Sequence, residues 1–265
     1  MRAASFFLVL FVLLVPSGAE AAGDFAPGPW ARVASVVDGD TVTLDPPVAG
    51  AGEVRLVGVQ APKIALGRSG FKDWPLGGEA RAALARLVLG KRVRLFFGGR
   101  RMDRHGRHLA HLFLEDGTWV QGEMLTQGMA RVYSFADNRA RVADMLALEA
   151  DARAARRGLW ADPFYAVHDG ADEARLLGLL GTFQVIEGRV LDAARVKGTV
   201  YLNFGADWRT DFTVRIRSRA GRLFKAAGID PQTFEDQVVR VRGWLDKRDG
   251  PEVEATHPEQ IEIVK

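Results

Sequence analysis

The chain has 265 residues, 48% of them hydrophobic and 26% charged, a profile that excludes a disordered or fibrous protein. It contains no cysteine, which rules out disulfide staples, thiol catalysis and zinc–thiolate sites. The formal net charge of +3 permits an anionic partner without requiring one.

The chain opens with MRAASFFLVLFVLLVPSGAEAAGD. Arg2 supplies a short positive end, Phe6 to Val15 an apolar core, and Ala19-Glu20-Ala21 a small-residue cleavage site. That is the pattern of a secretory signal, and the apolar run falls short of the about 20 residues that span a bilayer. The expectation is a signal peptide over residues 1–21 and a mature chain that is periplasmic or secreted, with no stable membrane anchor after cleavage.

From Ala31 to Phe97 the pattern is mostly strand-like. ARVASVVDGDTVTL places β-branched runs on either side of a glycine turn, and EVRLVGV alternates. KRVRLFFGG sends Val93, Leu95 and Phe97 one way and Arg92, Arg94 and Phe96 the other. A helix is predicted at about Gly78 to Leu89, apolar at Ala80, Leu84, Leu87 and Val88 and stopped by Gly90. RHLAHLFLEDGTWV reads as a hairpin around Asp116-Gly117, and helices are predicted near 119–127 and 138–157. A stretch over 167–181 reads as a linker carrying a short helix. Beyond it, three strands, a helix at about 221–227 and two strands follow in the order of a small five-stranded Greek-key barrel, the OB-fold. The predicted class is mainly β with α (α+β): an OB-type barrel with packed helices over 28–166, then a second OB-like barrel over 182–265.

Three features carry chemistry. Asp38 and Asp40 flank Gly39, so two carboxylates at i and i+2 can face one hard cation, although Asp-Gly is also ordinary hairpin chemistry. Arg55 lies on a strand among apolar neighbours and needs an anion, either carboxylate or phosphate. Arg107 closes MDRHGR, a glycine-containing turn, and ends a run holding Lys91, Arg92, Arg94, Arg100, Arg101 and Arg104 against Asp103 alone. Such a cluster suits phosphate contact and equally suits a solvated basic face. His108 and His111, three apart on a strand, point to opposite faces and cannot share one zinc ion.

VVDGDTVTL, VRLVGVQAPK, DRHGRHLAHLF, LTQGMARVY and RRGLW stand in this order between Ala31 and Asp162. In that set the chain resembles the staphylococcal nuclease (thermonuclease) family. The resemblance implies a five-stranded OB-type barrel and calcium-dependent hydrolysis of DNA and RNA phosphodiesters. It implies Asp40 as a metal ligand, with Thr41 following the turn, and Arg55 and Arg107 as contacts to the scissile phosphate; Arg104 and His105 lie in the same arginine turn. The family carries an aspartate where Gln60 stands and a glutamate where Lys63 stands, the one a calcium ligand and the other the group that orients or deprotonates water. Gln60 keeps only a neutral oxygen for a cation. Lys63 reverses the local sign, can stabilise a phosphorane in the cation's place, and leaves His105 as the substitute base.

In the second barrel, alternation places Phe212, Val214 and Ile216 inside, with Arg215, Arg217, Arg240, Arg242 and Trp244 outside. Arginine mixed with aromatic rings suits single-stranded nucleic acid, and the same face suits docking on the first barrel. The expected partner is DNA or RNA, and the expected activity is that of an endonuclease-type hydrolase with an altered metal and base site. The alternatives are a non-catalytic polyanion-binding module and an envelope structural protein. The pocket fails if Arg55 and Arg107 stand far apart, or if each is tied to a neighbouring acid.

Overall fold

The structure is a computed structural model that describes residues 25–264; the expected signal peptide lies outside the described residues. The first sheet is a closed barrel of β1 (Ala26–Asp38), β2 (Thr41–Val48), β3 (Ala51–Leu56), β5 (Arg92–Phe97) and β6 (His108–Leu114), ordered β1-β2-β3-β6-β5. β3 and β6 run parallel and β5 returns antiparallel to β1, closing the ring. The expected alternation of β5 holds, since Val93 and Leu95 are fully buried and Phe97 nearly so, while Arg92 is exposed. A short pair, β4 (Gly58–Gln60) with β7 (Arg131–Tyr133), extends beside the barrel.

Helix α1 (Gly77–Val88) packs Ala80, Ala83, Leu84 and Val88 against this core. α2 (Val120–Thr126) and α3 (Val142–Ala154) cover it with Met124, Leu125, Val142 and Met145. The hairpin expected around Asp116-Gly117 has one strand arm only. After the turn the chain makes a single bridge, Phe113 with Trp119, and enters α2.

The second unit contains β8 (Val167–Asp169), α4 (Glu173–Leu177), β9 (Phe183–Arg189), β10 (Asp192–Val196), β11 (Thr199–Asn203), β12 (Thr213–Ile216), α5 (Gly221–Ala226), β13 (Val238–Lys247), β14 (Pro251–Glu254) and β15 (Ile261–Ile263). These strands form one eight-stranded sheet ordered β10-β11-β12-β14-β13-β9-β8, with β15 on β13. The closed five-stranded barrel expected here is therefore corrected to an open hydrogen-bonded path. Its order nevertheless repeats that of the first barrel when β9 and β10, separated only by Val190 and Leu191, count as one interrupted strand. β12 and β14 are again the parallel pair. The stretch expected as a linker contributes β8 to the edge of this sheet and Leu176 of α4 to its core.

The two units share a polar seam. Arg131 on β7 is buried and donates to Gln184 Oε1 at 3.1 Å and to the Phe183 carbonyl at 2.5 Å, between the rings of Tyr165 and Phe183. Arg242 on β13 reaches Glu149 Oε1 on α3 at 2.7 Å and also Glu262. Arg139 grips Glu259, and Ser134 Oγ lies 2.7 Å from His257 Nε2.

Two buried histidines are expected to contribute acid sensitivity. Burial, with a smaller contribution from Arg141, pushes His111 down to about 3; Trp119 Nε1 donates to its Nδ1. Burial likewise lowers His257 to about 4. Both are held neutral in the fold and charge more readily when unfolded, so the unfolded state binds more protons between about pH 4 and 6.5. The histidine contribution is expected to be full above that window and to fall as pH drops through it, by about 1.4 kcal/mol per unit for each histidine, opposed between about pH 6 and 4 by Asp40, whose carboxyl burial raises to about 6. Urea unfolding at a series of pH values checks this, and His257→Gln should flatten part of the slope.

Candidate nucleic-acid interface and catalytic site

The DGDT turn is shaped by a close approach. A Cβ at Gly39 would sit 2.6 Å from Ala61 Cβ and 2.9 Å from Ala80 Cβ, so the turn nests against the loop after β4 and against α1 only with glycine there. Asp38 Oδ1 accepts the Asp40 backbone N–H at 3.0 Å. Asp40 is thereby directed inward, where Oδ2 accepts from Ala61 N at 2.8 Å, Gln60 Nε2 at 3.4 Å and Arg55 Nη2 at 3.1 Å, and Oδ1 accepts from Thr41 Oγ1 at 3.3 Å. Burial raises the Asp40 carboxyl to about 6, against the opposing pull of Arg55 and with a further rise from Asp38.

Arg55 is fixed by the barrel's own backbone, donating Nη1 to the Leu56 carbonyl at 2.5 Å and Nη2 to the Val59 carbonyl at 2.8 Å. The parallel register sets Arg55 opposite Leu109. Arg107 stands two residues before Leu109, in the turn that leads into β6. The register thus sets β3, which carries Arg55, beside the start of β6, which Arg107 immediately precedes.

The second failure condition, each arginine tied to a neighbouring acid, is met. Arg55 is paired with Asp40, and Arg107 with Asp103, whose Oδ2 lies 2.7 Å from both Nε and Nη2. Asp103 also accepts the backbone N–H groups of His105 and Arg107, so it builds the arginine turn. Modest burial opposes ionisation of Asp103, but donation from Arg107 and His105 holds its carboxyl below the usual range. The bond to Arg107 is not sealed from water, the two side chains keeping 28% and 15% of their exposure. A partly exposed pair of this kind is worth about 0–1 kcal/mol, and a phosphate can compete for it. Arg104 and His105 form the exposed rim, with Arg104 Nε 3.2 Å from His105 Nε2.

Gln60 is buried and directs its amide nitrogen to the Ala61 carbonyl at 2.7 Å as well as to Asp40. Lys63 lies in the field of Asp40, Asp38, Arg55 and Arg68; burial is the main cause of its lowered pKa. Its ammonium stands 5.7 Å from the ring of Trp244, which the second unit contributes. Trp244 also packs on Trp74, Phe183 and Tyr133. The wall beside the Asp40 pocket is therefore composite, with residues from both sheets.

Calcium does not fit this donor set. Calcium takes six to eight oxygens, whereas here Asp40 Oδ2 faces N–H donors and Oδ1 the Thr41 hydroxyl, with Arg55 and Lys63 as the neighbouring basic groups. Among the described residues no group of three or more His, Cys, Asp or Glu gathers as a metal site. The ligand role implied for Gln60 is corrected, since its amide nitrogen is the atom directed at Asp40.

The second sheet corrects the expected arginine face. Arg242 is 1% exposed and lies in the seam between units. Arg215 is also buried, held by Glu252 at 2.7 Å and Glu254 at 3.2 Å. Arg240 is paired with Glu187, and the more open Arg217 with Glu254. Trp244 is half-buried against the first unit. None of the five presents an unpaired, solvent-facing cation or ring as alternation alone implied. Glu149, Arg131 and Tyr133 were missed; the one sequence signal was an acid on the buried stripe Met145–Glu149–Ala152 of α3.

A closed five-stranded barrel carrying an Asp turn, an arginine on β3 and an arginine turn before β6 has the features of a nuclease-type domain. Residues 53–162 match the model of the family described as staphylococcal nuclease homologue. "Protein ParB" of Escherichia coli is 34% identical over 174 residues, covering 62% of this chain and 85% of that protein. An "uncharacterized endonuclease" of Escherichia coli O157:H7 is 33% identical over 132 residues, 49% of this chain and 76% of that one. The "probable staphylococcal-like nuclease CAN1" of Oryza sativa subsp. japonica is 35% identical over 108 residues, 41% of this chain but 28% of the rice protein, so the similarity to that relative is confined to one domain. The chain belongs to the staphylococcal nuclease homologue family.

Proposed function

We propose that this protein is an exported member of its family that acts on DNA or RNA phosphodiesters through Arg55 and Arg107, and that any hydrolysis it performs does not depend on calcium. The observation that carries this reading is the register that sets Arg55 on β3 beside β6, with Arg107 in the turn just before it, each guanidinium paired with an acid for which a phosphate must compete. Export rests on the pattern of residues 1–21. The relatives named as nucleases support the substrate class.

In this reading Arg55, immobilised by two backbone carbonyls, is a preorganised charge for a phosphoryl oxygen, and its fixed position costs no reorganisation during reaction. Arg107 exchanges part of its bond to Asp103 for the phosphate, with Nη1 unengaged among the described residues. Lys63 adds a cation where the family carries a carboxylate, and Trp244 limits its hydration. No carboxylate replaces the lost water-activating group, and loss of a general base slows such a reaction by about 10²–10⁴-fold. Turnover is accordingly slow, while binding of the strand is retained.

A second reading, a polyanion-binding module without turnover, is favoured by the pairing of both arginines with acids. One experiment separates the two: mature protein with single-stranded DNA and RNA, in calcium or in chelator, beside Arg107→Ala. The proposal expects slow cleavage, equal in calcium and chelator, and reduced about 10²–10³-fold by Arg107→Ala, the scale for loss of one charge-stabilising donor. Salt-sensitive binding without cleavage supports the module. Cleavage that requires calcium overturns the assignment of the pocket, and absence of both binding and cleavage favours the envelope structural role.

A further inference from the structure

A second cleft lies on the outward face of the β10-β11-β12-β14 sheet, away from the Asp40 pocket. It encloses about 460 Å³ and is flanked by the β11–β12 loop, which carries Trp208, and the β13–β14 loop, which carries Arg248 and Asp249. Its floor alternates with the core. Leu202, Val214 and Val253 point inward and are fully buried, so Tyr201, Asn203, Thr213 and Glu252 point into the cleft.

Two properties of the lining select a ligand. The first is charge: Asp192, Asp249 and Glu252 line it, with Arg248 the single cation in the wall. Counted with Arg215, which neutralises Glu252, the lining is close to neutral and offers a phosphate-bearing strand no excess of cations, contrary to the nucleic-acid face that the sequence predicted for this domain. Two of these acids are already engaged within the fold. Asn203 Nδ2 donates to Asp192 Oδ2 at 3.0 Å, and Arg215 neutralises Glu252. One face of the Trp208 ring carries Arg209, 4.4 Å from its centre.

The second is shape and hydrogen bonding. Thr213 Oγ1 donates to Asn203 Oδ1 at 3.3 Å, so Thr213, Asn203 and Asp192 form a connected polar chain along the floor. Beside it stand the half-buried ring of Tyr201 and, at the rim, Trp208 and Val196, 54% and 53% exposed. Rings flanking a fixed row of amide, hydroxyl and carboxylate groups suit a flat, uncharged, polyhydroxylated molecule. Its C–H face lies on the rings and its hydroxyls join the polar row. Folds with this strand order take oligosaccharides as well as oligonucleotides on the corresponding face, and the charge here decides between them.

We propose that this cleft is a binding site for a neutral oligosaccharide, distinct from the phosphodiester site and independent of it. The probes are chitohexaose and cellohexaose, titrated into the mature protein by calorimetry, with a thymidine oligomer in parallel. The expected result is saturable binding of at least one sugar, unchanged between about 50 and 200 mM salt, a range over which phosphate contacts weaken steeply. Trp208→Ala and Tyr201→Ala should each weaken it at least about tenfold, Trp208→Phe should restore most of it, and Arg107→Ala should leave it intact. Because Trp208 is exposed, its loss does not threaten folding. The proposal is overturned if neither sugar binds, if binding survives both aromatic truncations, or if the thymidine oligomer binds in a salt-sensitive manner that Trp208→Ala abolishes.

Discussion

Replacing Arg242 with alanine is expected to lower the unfolding free energy by about 3–5 kcal/mol, the scale for breaking a buried ion pair by removing one partner. Arg242 is 1% exposed and Glu149 fully buried, and they meet at 2.7 Å from different units, 93 positions apart in the chain. Glu149 also accepts the Val132 N–H at 2.6 Å and Arg153 at 3.1 Å, so it ties α3, the strand carrying Arg131, and the second sheet together. Glu149→Gln should destabilise at least as much. It leaves Arg242 with Glu262 alone and removes the negative charge that offsets the repulsion between Arg131 and Arg242.

The double variant Glu149→Met/Arg242→Met removes both charges at once and is expected to recover part of the loss, because well-packed apolar replacements of buried pairs are often tolerated. Urea unfolding read by a probe in each unit distinguishes this from simple loss of packing. The single variants should separate the two transitions, and the cycle should give a coupling of about 0.5–3 kcal/mol. Strict additivity, with the transitions still coincident, would show that the seam holds through its aromatic contacts instead.

That seam also marks where sequence reasoning stops. Alternation placed Phe212, Val214 and Ile216 in the core, and all three are buried to 1% or less. The same period placed Arg215, Arg242 and Trp244 on the other face, which is correct for a single sheet. Periodicity identifies which side of a strand is apolar but carries no information on what docks against the remaining side. Glu149, the partner of Arg242, comes from a helix of the other unit, and the partners of Arg215 come from a strand that follows it by some 40 residues. Helix α1 was legible within one residue at each end because its apolar stripe and the glycine after it are local signals. Asp40, Arg55 and Arg107 were legible as a set through motif order. Their internal pairing was not, since Asp103 and Asp40 read equally well as turn-formers and ligands. The contact of Lys63 with Trp244 joins positions 181 apart, and no local pattern announces it.

Substituting Gln60→Asp together with Lys63→Glu is expected to create calcium binding that the natural donor set at Asp40 does not favour. The change moves the local formal charge by three units, from +1 for the Gln–Lys pair to −2 for the Asp–Glu pair. It places carboxylates at positions 60 and 63, beside Asp40 and Asp38, whose charges Lys63 already senses. At a separation of about 4 Å, each unit of charge is worth about 4 kcal/mol against another at an effective dielectric suited to protein surfaces, so Lys63→Glu, a change of two units, should contribute more than Gln60→Asp, which adds one charge without removing an opposing one. The indole of Trp244 loses its ammonium neighbour at 5.7 Å, at a cost of about 0.5–1 kcal/mol. Without metal the double variant should therefore be less stable than the natural chain, its acids crowded and unpaired. With calcium at about 100 times the dissociation constant it should regain about 2.7 kcal/mol, a shift the natural protein should not show. Thermal unfolding with calcium and with chelator reads this directly and does not depend on turnover. If the natural chain is stabilised by calcium as strongly as the double variant, the donor arrangement at Asp40 has been misjudged. If the folded double variant ignores calcium, then Gln60 and Lys63 are not what excludes it, and the fixed guanidinium of Arg55 on Asp40 becomes the group to change next.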